Sequence, residues 1–157
     1  MTKNLALVIT GPGHIQLEER PVPVPAAGEV LVAVGYVALC GSNVKLFHGS
    51  YTAPHCYPVV VGHEWVGRIV NTGNAVAELH SGDVVTGDCS VFCDACPMCA
   101  VNKNHCENIE KSGITVNGKC ANFVTAKSMH VYKCPALDDI KPLVLTEPTA
   151  WRLYTSD

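Results

Sequence analysis

The chain contains few charged side chains, few aromatic rings and no long apolar run. Charged residues make up 16% and aromatic residues 6% of its 157 residues. With 11 Lys and Arg against 14 Asp and Glu, the net charge is −3. Nucleic-acid binding needs a basic surface, so we expect no nucleic-acid partner. The longest apolar run, residues 30–41, has twelve residues. A membrane helix needs roughly 20, so we expect no membrane span.

A secretion signal is also missing from the sequence. Lys3 precedes only five apolar residues, 5–9, and no small-residue cleavage site follows them. We therefore expect a cytoplasmic protein. A length of 157 residues suits one globular domain, residues 1–157, and is too short for two full-sized domains.

The spacing of glycine and proline predicts a mainly β fold. Thirteen Gly and ten Pro divide the chain into short valine-rich segments, and no helical period is sustained before the last twenty residues. A small barrel or sandwich fits this pattern. The predicted strands are residues 5–10, 15–19, 29–39, 59–72, 83–87, 121–126 and 130–132. Short helices are predicted at 41–47, with Ser42 as a candidate cap, and at 138–154, interrupted by Glu147-Pro148.

Cysteine is abundant, and four of the nine cysteines form the strongest motif in the chain. An odd number of cysteines without a secretion signal favours metal binding over disulfides. Two C-x-x-C steps are followed, after six residues, by a fourth cysteine; we call this set the cysteine knuckle: Cys93, Cys96, Cys99 and Cys106. Four thiolates can close a tetrahedral zinc site that holds a loop in shape. An iron–sulfur cluster is the rival interpretation, although ferredoxin motifs place the fourth cysteine after three residues and before a proline.

A second group of candidate ligands is scattered along the chain. Cys40 ends a valine-rich run, His63 and Glu64 are adjacent, and Glu147 comes about eighty residues later. Three such ligands leave a zinc position open for water or an alcohol oxygen. Each residue also has an ordinary structural role, as a small apolar filler, a hydrogen-bonded imidazole or a helix-terminal carboxylate. The residue types alone leave both interpretations open.

The order of the motifs along the chain resembles the catalytic domain of zinc-dependent medium-chain alcohol dehydrogenases. The resemblance covers nearly the whole chain and rests on these segments: Gly28-Glu29-Val30-Leu31-Val32, Cys40-Gly41-Ser42, Gly62-His63-Glu64-x-x-Gly67, Gly82-Asp83-Val84-Val85, the cysteine knuckle and Glu147-Pro148. Glu64 directly after His63, together with the Glu-Pro ending, is similar to the sorbitol and threonine dehydrogenase branch. The resemblance implies a GroES-like, partly open β barrel with a zinc-knuckle loop.

The same resemblance implies two zinc ions and a role for each motif. Cys40, His63 and either Glu64 or Glu147 would hold the catalytic zinc, with the other carboxylate or a water completing the shell. The cysteine knuckle would hold the structural zinc. Ser42 would accept the hydroxyl proton of a small-molecule alcohol, and Lys45 or His48 would pass that proton to solvent. The oxidant implied is NAD or NADP.

Several departures from the family pattern accompany this resemblance. The last gap of the cysteine knuckle is six residues where most relatives have seven. Asn43 stands where Asp is usual, and Gly118-Lys119-Cys120-Ala121 replaces the usual Gly-Gly-Phe-Ala. Family members also continue for about two hundred residues into a Rossmann domain. This sequence stops ten residues after Glu147, and no segment matches G-x-G-x-x-G.

These observations predict the catalytic-domain portion of an alcohol or polyol dehydrogenase. Residues 138–157 would begin the connection to a cofactor domain, and the chain would be inactive without that domain. A stand-alone zinc-stabilised binding module is the alternative, and a ferredoxin-like electron carrier is the third. Oligomeric state stays open, because a homo-oligomer and pairing with the cofactor domain both fit.

Overall fold

Strands carry most of the fold in the computed structural model, which describes residues 3–154; positions 1–2 and 155–157 of the predicted domain lie outside this range. The strands are β1 (Asn4–Gly11), β2 (His14–Arg20), β3 (Glu29–Ala38), β4 (Val59–Val60), β5 (Glu64–Thr72), β6 (Val84–Gly87), β7 (Ser90–Val91), β8 (Glu110–Lys111), β9 (Phe123–Lys127) and β10 (Val131–Lys133). The helices are α1 (Gly41–Phe47), α2 (Pro97–Val101) and α3 (Thr146–Tyr154). Short 3-10 turns span Lys103–His105, Ser128–His130 and Lys141–Leu145.

Three antiparallel sheets form the barrel and its side lobe. The five-stranded sheet has the order β10-β6-β5-β3-β9, the three-stranded sheet β2-β1-β4, and the ribbon β7-β8. The long pair β3-β5 contains two register shifts, and such irregularities bend a sheet and increase its twist. A bridge between Ala6 and Ala121 links the first two sheets. The expected mainly β fold, without a doubly wound parallel sheet, is confirmed for residues 3–154.

Three apolar clusters hold the strands together, the smallest of which consists of Ala6, Val8 and Val60. Alternate residues of the central strands point inward and pack around Trp65, which is 1% exposed, with Val30, Val32, Ile69 and Val85. Burying each valine or isoleucine side chain stabilises the fold by roughly 1.5–3 kcal/mol. A second cluster lies beneath α1 and consists of Ile9, Leu46, Val61 and Ile114. It fixes α1 against β1 and the segment that leads into β5.

The predicted strand 59–72 is wrong as one continuous element, because residues 61–63 interrupt it. Gly62 has a φ of +90°, and a Cβ there would lie 2.6 Å from Cγ1 of Val37. We call residues 117–120 the strap, since their backbone crosses this interruption. The Gly118 N–H donates to the Val60 carbonyl at 2.6 Å, and the Lys119 N–H donates to the Gly62 carbonyl at 2.8 Å. His63 therefore lies outside the strand pairing, directly before the first residue of β5.

Helices α1 and α3 lie where helices were predicted but differ in how they begin, and α2 was not predicted. The N-cap of α1 is Cys40, so the expectation that Ser42 caps it is wrong. The Cys40 N–H donates to Oδ1 of Asn43 at 3.2 Å, which satisfies one amide at the helix start. Glu147-Pro148 lies in the first turn of α3, where a proline costs no helical hydrogen bond. The pair therefore begins a helix, and the predicted single element is a 3-10 turn followed by α3.

None of the helices within residues 3–154 combines the length and apolarity that crossing a membrane requires.

Candidate metal centres

The cysteine knuckle brings its four sulfur atoms together. All four Sγ atoms lie within 4.8 Å of one another. The Sγ–Sγ distances are 3.5 Å for Cys96–Cys99, 3.5 Å for Cys93–Cys106 and 3.9 Å for Cys93–Cys99. Tetrahedral zinc with Zn–S bonds of about 2.3 Å separates its sulfurs by about 3.8 Å. The four residues fit a closed four-thiolate site, and the six-residue gap before Cys106 is long enough.

Short helical turns position these sulfurs. Cys96 is the N-cap of α2 and Pro97 begins the helix, so the Cys99 N–H donates to the Cys96 carbonyl at 3.0 Å. Cys106 ends the 3-10 turn Lys103–His105. The ribbon β7-β8 closes the base of this lobe through the pairs Ser90–Lys111 and Val91–Glu110. The sequence patterns did not predict either ribbon strand, because two residues are too few to show alternation.

The backbone of the cysteine knuckle favours thiolates. Amide N–H groups of Ala95 and Cys96 lower the pKa of the Cys93 thiol, and the Glu107 amide lowers that of Cys96. Burial raises the pKa of Cys99. Because a metal ion needs deprotonated cysteine, amide donors aimed at the sulfurs are the surroundings expected of a metal site.

The second group of predicted ligands also converges. Cys40, His63 and Glu64 place one ligand atom each within 4.8 Å of one another. Cys40 lies between β3 and α1, His63 follows the Gly62 break, and Glu64 begins β5. His63 is 3% exposed and Glu64 is 8% exposed. The fold therefore buries a thiol, an imidazole and a carboxylate side by side, and charged groups are buried in this way chiefly when they are paired or bind a metal.

The hydrogen bonding of His63 supports the same interpretation. Its Nδ1 is buried without a hydrogen-bond partner among the described residues. Burial lowers the pKa of His63, while the Glu64 charge and the Ser112 backbone act in the opposite direction. The neutral imidazole is the form that binds a metal. Sulfur, nitrogen and oxygen ligands in one buried group fit zinc.

Glu147 is near this group but is not one of the three converging ligands. Burial raises the pKa of its carboxyl, and the charges of Glu64 and Asp88 raise it further. Of the two predicted carboxylates, Glu64 belongs to the converging group and Glu147 does not, although its carboxyl interacts electrostatically with that of Glu64.

The predicted proton-transfer residues occupy different environments on α1. The Ser42 hydroxyl donates to Sγ of Cys40 at 3.2 Å, so it lies directly beside a candidate ligand. Lys45 and His48 are exposed. His48 is the C-cap of α1, and its ring packs edge-on against Phe47 with ring centroids 5.3 Å apart. The structure brings only Ser42 next to the converging group.

Two residues near the site were missed by the sequence analysis. Burial raises the pKa of Cys89 to about 12, and the charges of Glu147 and Cys40 also disfavour its thiolate. Asp88 accepts a hydrogen bond from the Tyr132 hydroxyl at 2.8 Å, and its Oδ2 lies 3.6 Å from Nδ1 of His130. Both follow the end of β6, and no local pattern distinguishes them. Their position becomes evident only from the pairing of β6 with β5 and β10.

Comparison with known proteins supports the family that the motifs suggest. Residues 26–136 match the family model described as "Alcohol dehydrogenase GroES-like domain". The sorbitol dehydrogenase of Halalkalibacterium halodurans is 34% identical over 149 residues, covering 92% of this chain and 43% of that protein. The L-threonine 3-dehydrogenase of Coxiella burnetii is 33% identical over 147 residues, covering 90% and 43%. The chain thus spans less than half the length of the curated relatives it matches.

Solved structures share this fold. A Sinorhizobium meliloti structure described as a zinc-binding dehydrogenase bound to NADP superposes with a TM-score of 0.89 at 30% identity, covering 98% of this chain and 45% of that one. Galactitol-1-phosphate dehydrogenase from Escherichia coli superposes with a TM-score of 0.87 at 28% identity, covering 95% and 43%. These matches show that the chain belongs to the zinc-dependent medium-chain alcohol dehydrogenase family and corresponds to its N-terminal GroES-like domain.

Proposed function

We propose that this chain is the metal-binding catalytic portion of a dehydrogenase that oxidises the secondary alcohol of a small polyol or amino alcohol. The convergence of Cys40, His63 and Glu64 in one buried group carries the proposal. The relatives named as sorbitol, L-threonine and galactitol-1-phosphate dehydrogenases support the substrate class. The choice of Glu64 over Glu147 as the third ligand rests on its carboxylate, which lies within 4.8 Å of the ligand atoms of Cys40 and His63.

The residues of this chain would bind the alcohol and take its proton. Zinc, when bound, would supply Lewis-acid polarisation of the alcohol oxygen, and NAD or NADP would supply the oxidising power. Ser42 lies beside Cys40, so its Oγ is positioned to accept the alcohol proton. From Ser42 the proton must reach solvent, and Lys45 and His48 are the exposed titratable groups on the same helix. Glu147 or a water would complete the ligand shell.

Turnover would require a nucleotide-binding site that these residues do not provide. All pairs of named strands within residues 3–154 are antiparallel, whereas dinucleotide sites form on parallel sheets. We propose that these 157 residues bind zinc but do not oxidise alcohols without a cofactor domain, supplied by the same protein or by a partner. A second copy of the chain is a further candidate partner.

Metal content is the first test of this proposal. Elemental analysis of the purified chain should give two zinc ions per molecule, one for each group. One zinc that survives Cys40→Ser and is lost on Cys99→Ser would instead favour the zinc-stabilised binding module. Iron with acid-labile sulfide would indicate an electron carrier and contradict the proposal.

A further inference from the structure

A cavity of about 390 Å³ lies apart from both candidate metal centres, between β1, the strap and β9. Its walls are mostly apolar and include Ala6, Val60 and Phe123. Its size falls within the roughly 300–1,000 Å³ of small-molecule sites. The residues that line it do not include Cys40, His63, Glu64 or Glu147, so a ligand there would be separate from the alcohol site.

A partly buried lysine forms one side of this cavity. Lys119 belongs to the strap, and its Nζ donates to the Thr125 carbonyl of β9 at 3.0 Å. An ammonium group can donate three hydrogen bonds, so two N–H groups remain for a ligand. Burial lowers the pKa of Lys119 to about 8, and the charge of Glu29 only partly opposes this. Within residues 3–154, its ammonium forms no ion pair with a carboxylate at 4.0 Å or less.

The backbone holds Lys119 in this position. Its N–H donates to the Gly62 carbonyl at 2.8 Å. The preceding residue, Gly118, lies so close to the Gly62 oxygen that a Cβ there would collide with it. The strap is therefore packed directly on the backbone beneath it.

The other charged residue of the cavity is already neutralised. Arg20 donates to Oε2 of Glu18 through Nε at 3.1 Å and Nη2 at 2.9 Å. Glu18 does not line the cavity, and Arg20 does. The cavity thus presents one ammonium group, that of Lys119, whose hydrogen-bond partner is the neutral Thr125 carbonyl, against mostly apolar walls.

We propose that this cavity binds a small organic monoanion, a carboxylate on an apolar body, with the carboxylate on Lys119 and the apolar body against Val60 and Phe123. A single negative charge matches this one ammonium group, which donates to a neutral carbonyl and forms no ion pair within residues 3–154. An alcohol of the same shape would leave that cation unpaired, and inorganic phosphate would leave the apolar walls unfilled. This inference does not depend on the proposed dehydrogenase function.

Calorimetric titration of the whole chain with hexanoate, 1-hexanol and inorganic phosphate tests the proposal. We expect one saturable hexanoate site and at least tenfold weaker binding of the other two probes. Lys119→Met should weaken hexanoate binding about tenfold, because a charge-assisted hydrogen bond is lost. Lys127→Met is the matched control on the exposed end of β9 and should leave affinity unchanged. Equal binding of hexanoate and hexanol, or retained affinity in Lys119→Met, would overturn the proposal.

Two further measurements keep the test decisive. Carboxylates can also bind zinc, so the titration is repeated in Cys40→Ser, where hexanoate affinity should persist; its loss would place the ligand at the metal centre and refute the cavity site. If Lys119→Met does not fold, limited acetylation of the wild-type chain decides the question. Hexanoate should protect Lys119, but not Lys127, from acetic anhydride in a mass-spectrometric footprint. Unchanged labelling of Lys119 would contradict the proposal.

Discussion

At the scale of single residues, chemistry-bearing side chains were easier to predict than their neighbours. Cys40, His63 and Glu64 could be selected because their residue types and the motif around each are informative before folding. Which of the two carboxylates joins Cys40 and His63 could not be predicted in the same way. Glu64 and Glu147 are equivalent as sequence letters, and only the start of β5 places Glu64 within 4.8 Å of the other two ligands. Asp88 and Cys89 carried no local signal at all.

The carboxylate of Asp83 should stabilise the fold at neutral pH and lose this effect in acid. Its Oδ1 lies 2.6 Å from Nζ of Lys133, and its Oδ2 accepts the His80 N–H at 2.9 Å. The Lys133 hydrogen bond, followed by that of His80, holds the pKa of Asp83 below its usual value. A lowered folded pKa gives stability that is present above the unfolded pKa and lost as pH falls through the folded one.

We therefore expect Asp83→Asn to be less stable than wild type at pH 7, with the difference shrinking between pH 4 and pH 2. Urea unfolding at each pH measures it. Glu78→Gln, at an exposed position, serves as the control and should show no such pattern. A stability difference for Asp83→Asn that stays constant down to pH 2 would contradict this account.

At the scale of elements, most strands could be predicted because glycine, proline and alternating valines mark them directly. The interruption at residues 61–63 could not. Its cause is the strap crossing from more than fifty residues later, and hydrogen bonds between distant segments leave no local pattern. The lobe of the cysteine knuckle also could be predicted only in part. The spacing of its cysteines indicated the ligands, whereas its two-residue strands are too short to show a pattern.

Gly62→Ala should test the role of the interruption. A Cβ would meet Val37 at 2.6 Å on a backbone with φ of +90°, and we expect a loss of roughly 2–4 kcal/mol in unfolding free energy, from strain and overpacking together. His63 would shift, so zinc at Cys40, His63 and Glu64 should be lost while zinc at the cysteine knuckle stays.

Gly82→Ala is the matched control for that substitution. Gly82 has a φ of +95°, and no atom lies within 4 Å of the position that an added Cβ would occupy. It therefore carries the backbone strain alone, roughly 1 kcal/mol, and should keep both zinc ions. Chemical denaturation and zinc content separate the two variants. Equal losses in both would show that close packing at Gly62 is unimportant.

At the scale of the whole molecule, the mainly β architecture followed from composition, and the GroES-like fold from the order of motifs. The order of the strands in the sheet could not be predicted from the sequence. The order β10-β6-β5-β3-β9 depends on pairings between residues far apart in the chain. The same long-range pairing sets two unlike metal groups on one scaffold. One is a lobe built around four cysteines, and the other is a buried group between β3, β5 and α1.

The two groups should respond differently to loss of a ligand. Cys99→Ser opens a closed structural shell whose metal stabilises the lobe, so we expect a lower melting temperature and loss of zinc at the knuckle. Cys40→Ser should remove one zinc and leave the barrel folded, with a much smaller change in melting temperature. Cys134→Ser, outside both groups, is the control. Equal decreases in melting temperature for the Cys40 and Cys99 variants would contradict these assignments.

The segment between Cys106 and the strap has a consequence for the order in which the protein acquires its metals. The Ser112 N–H donates to the Cys89 carbonyl at 2.9 Å, and Ser112 also acts on His63 through its backbone. A Cβ on the next residue, Gly113, would lie 2.8 Å from the Gly62 nitrogen. We therefore expect zinc at the cysteine knuckle to order this segment and, through it, the surroundings of His63. Zinc uptake should therefore be sequential, with the knuckle filled first and the second ion bound more tightly once it is.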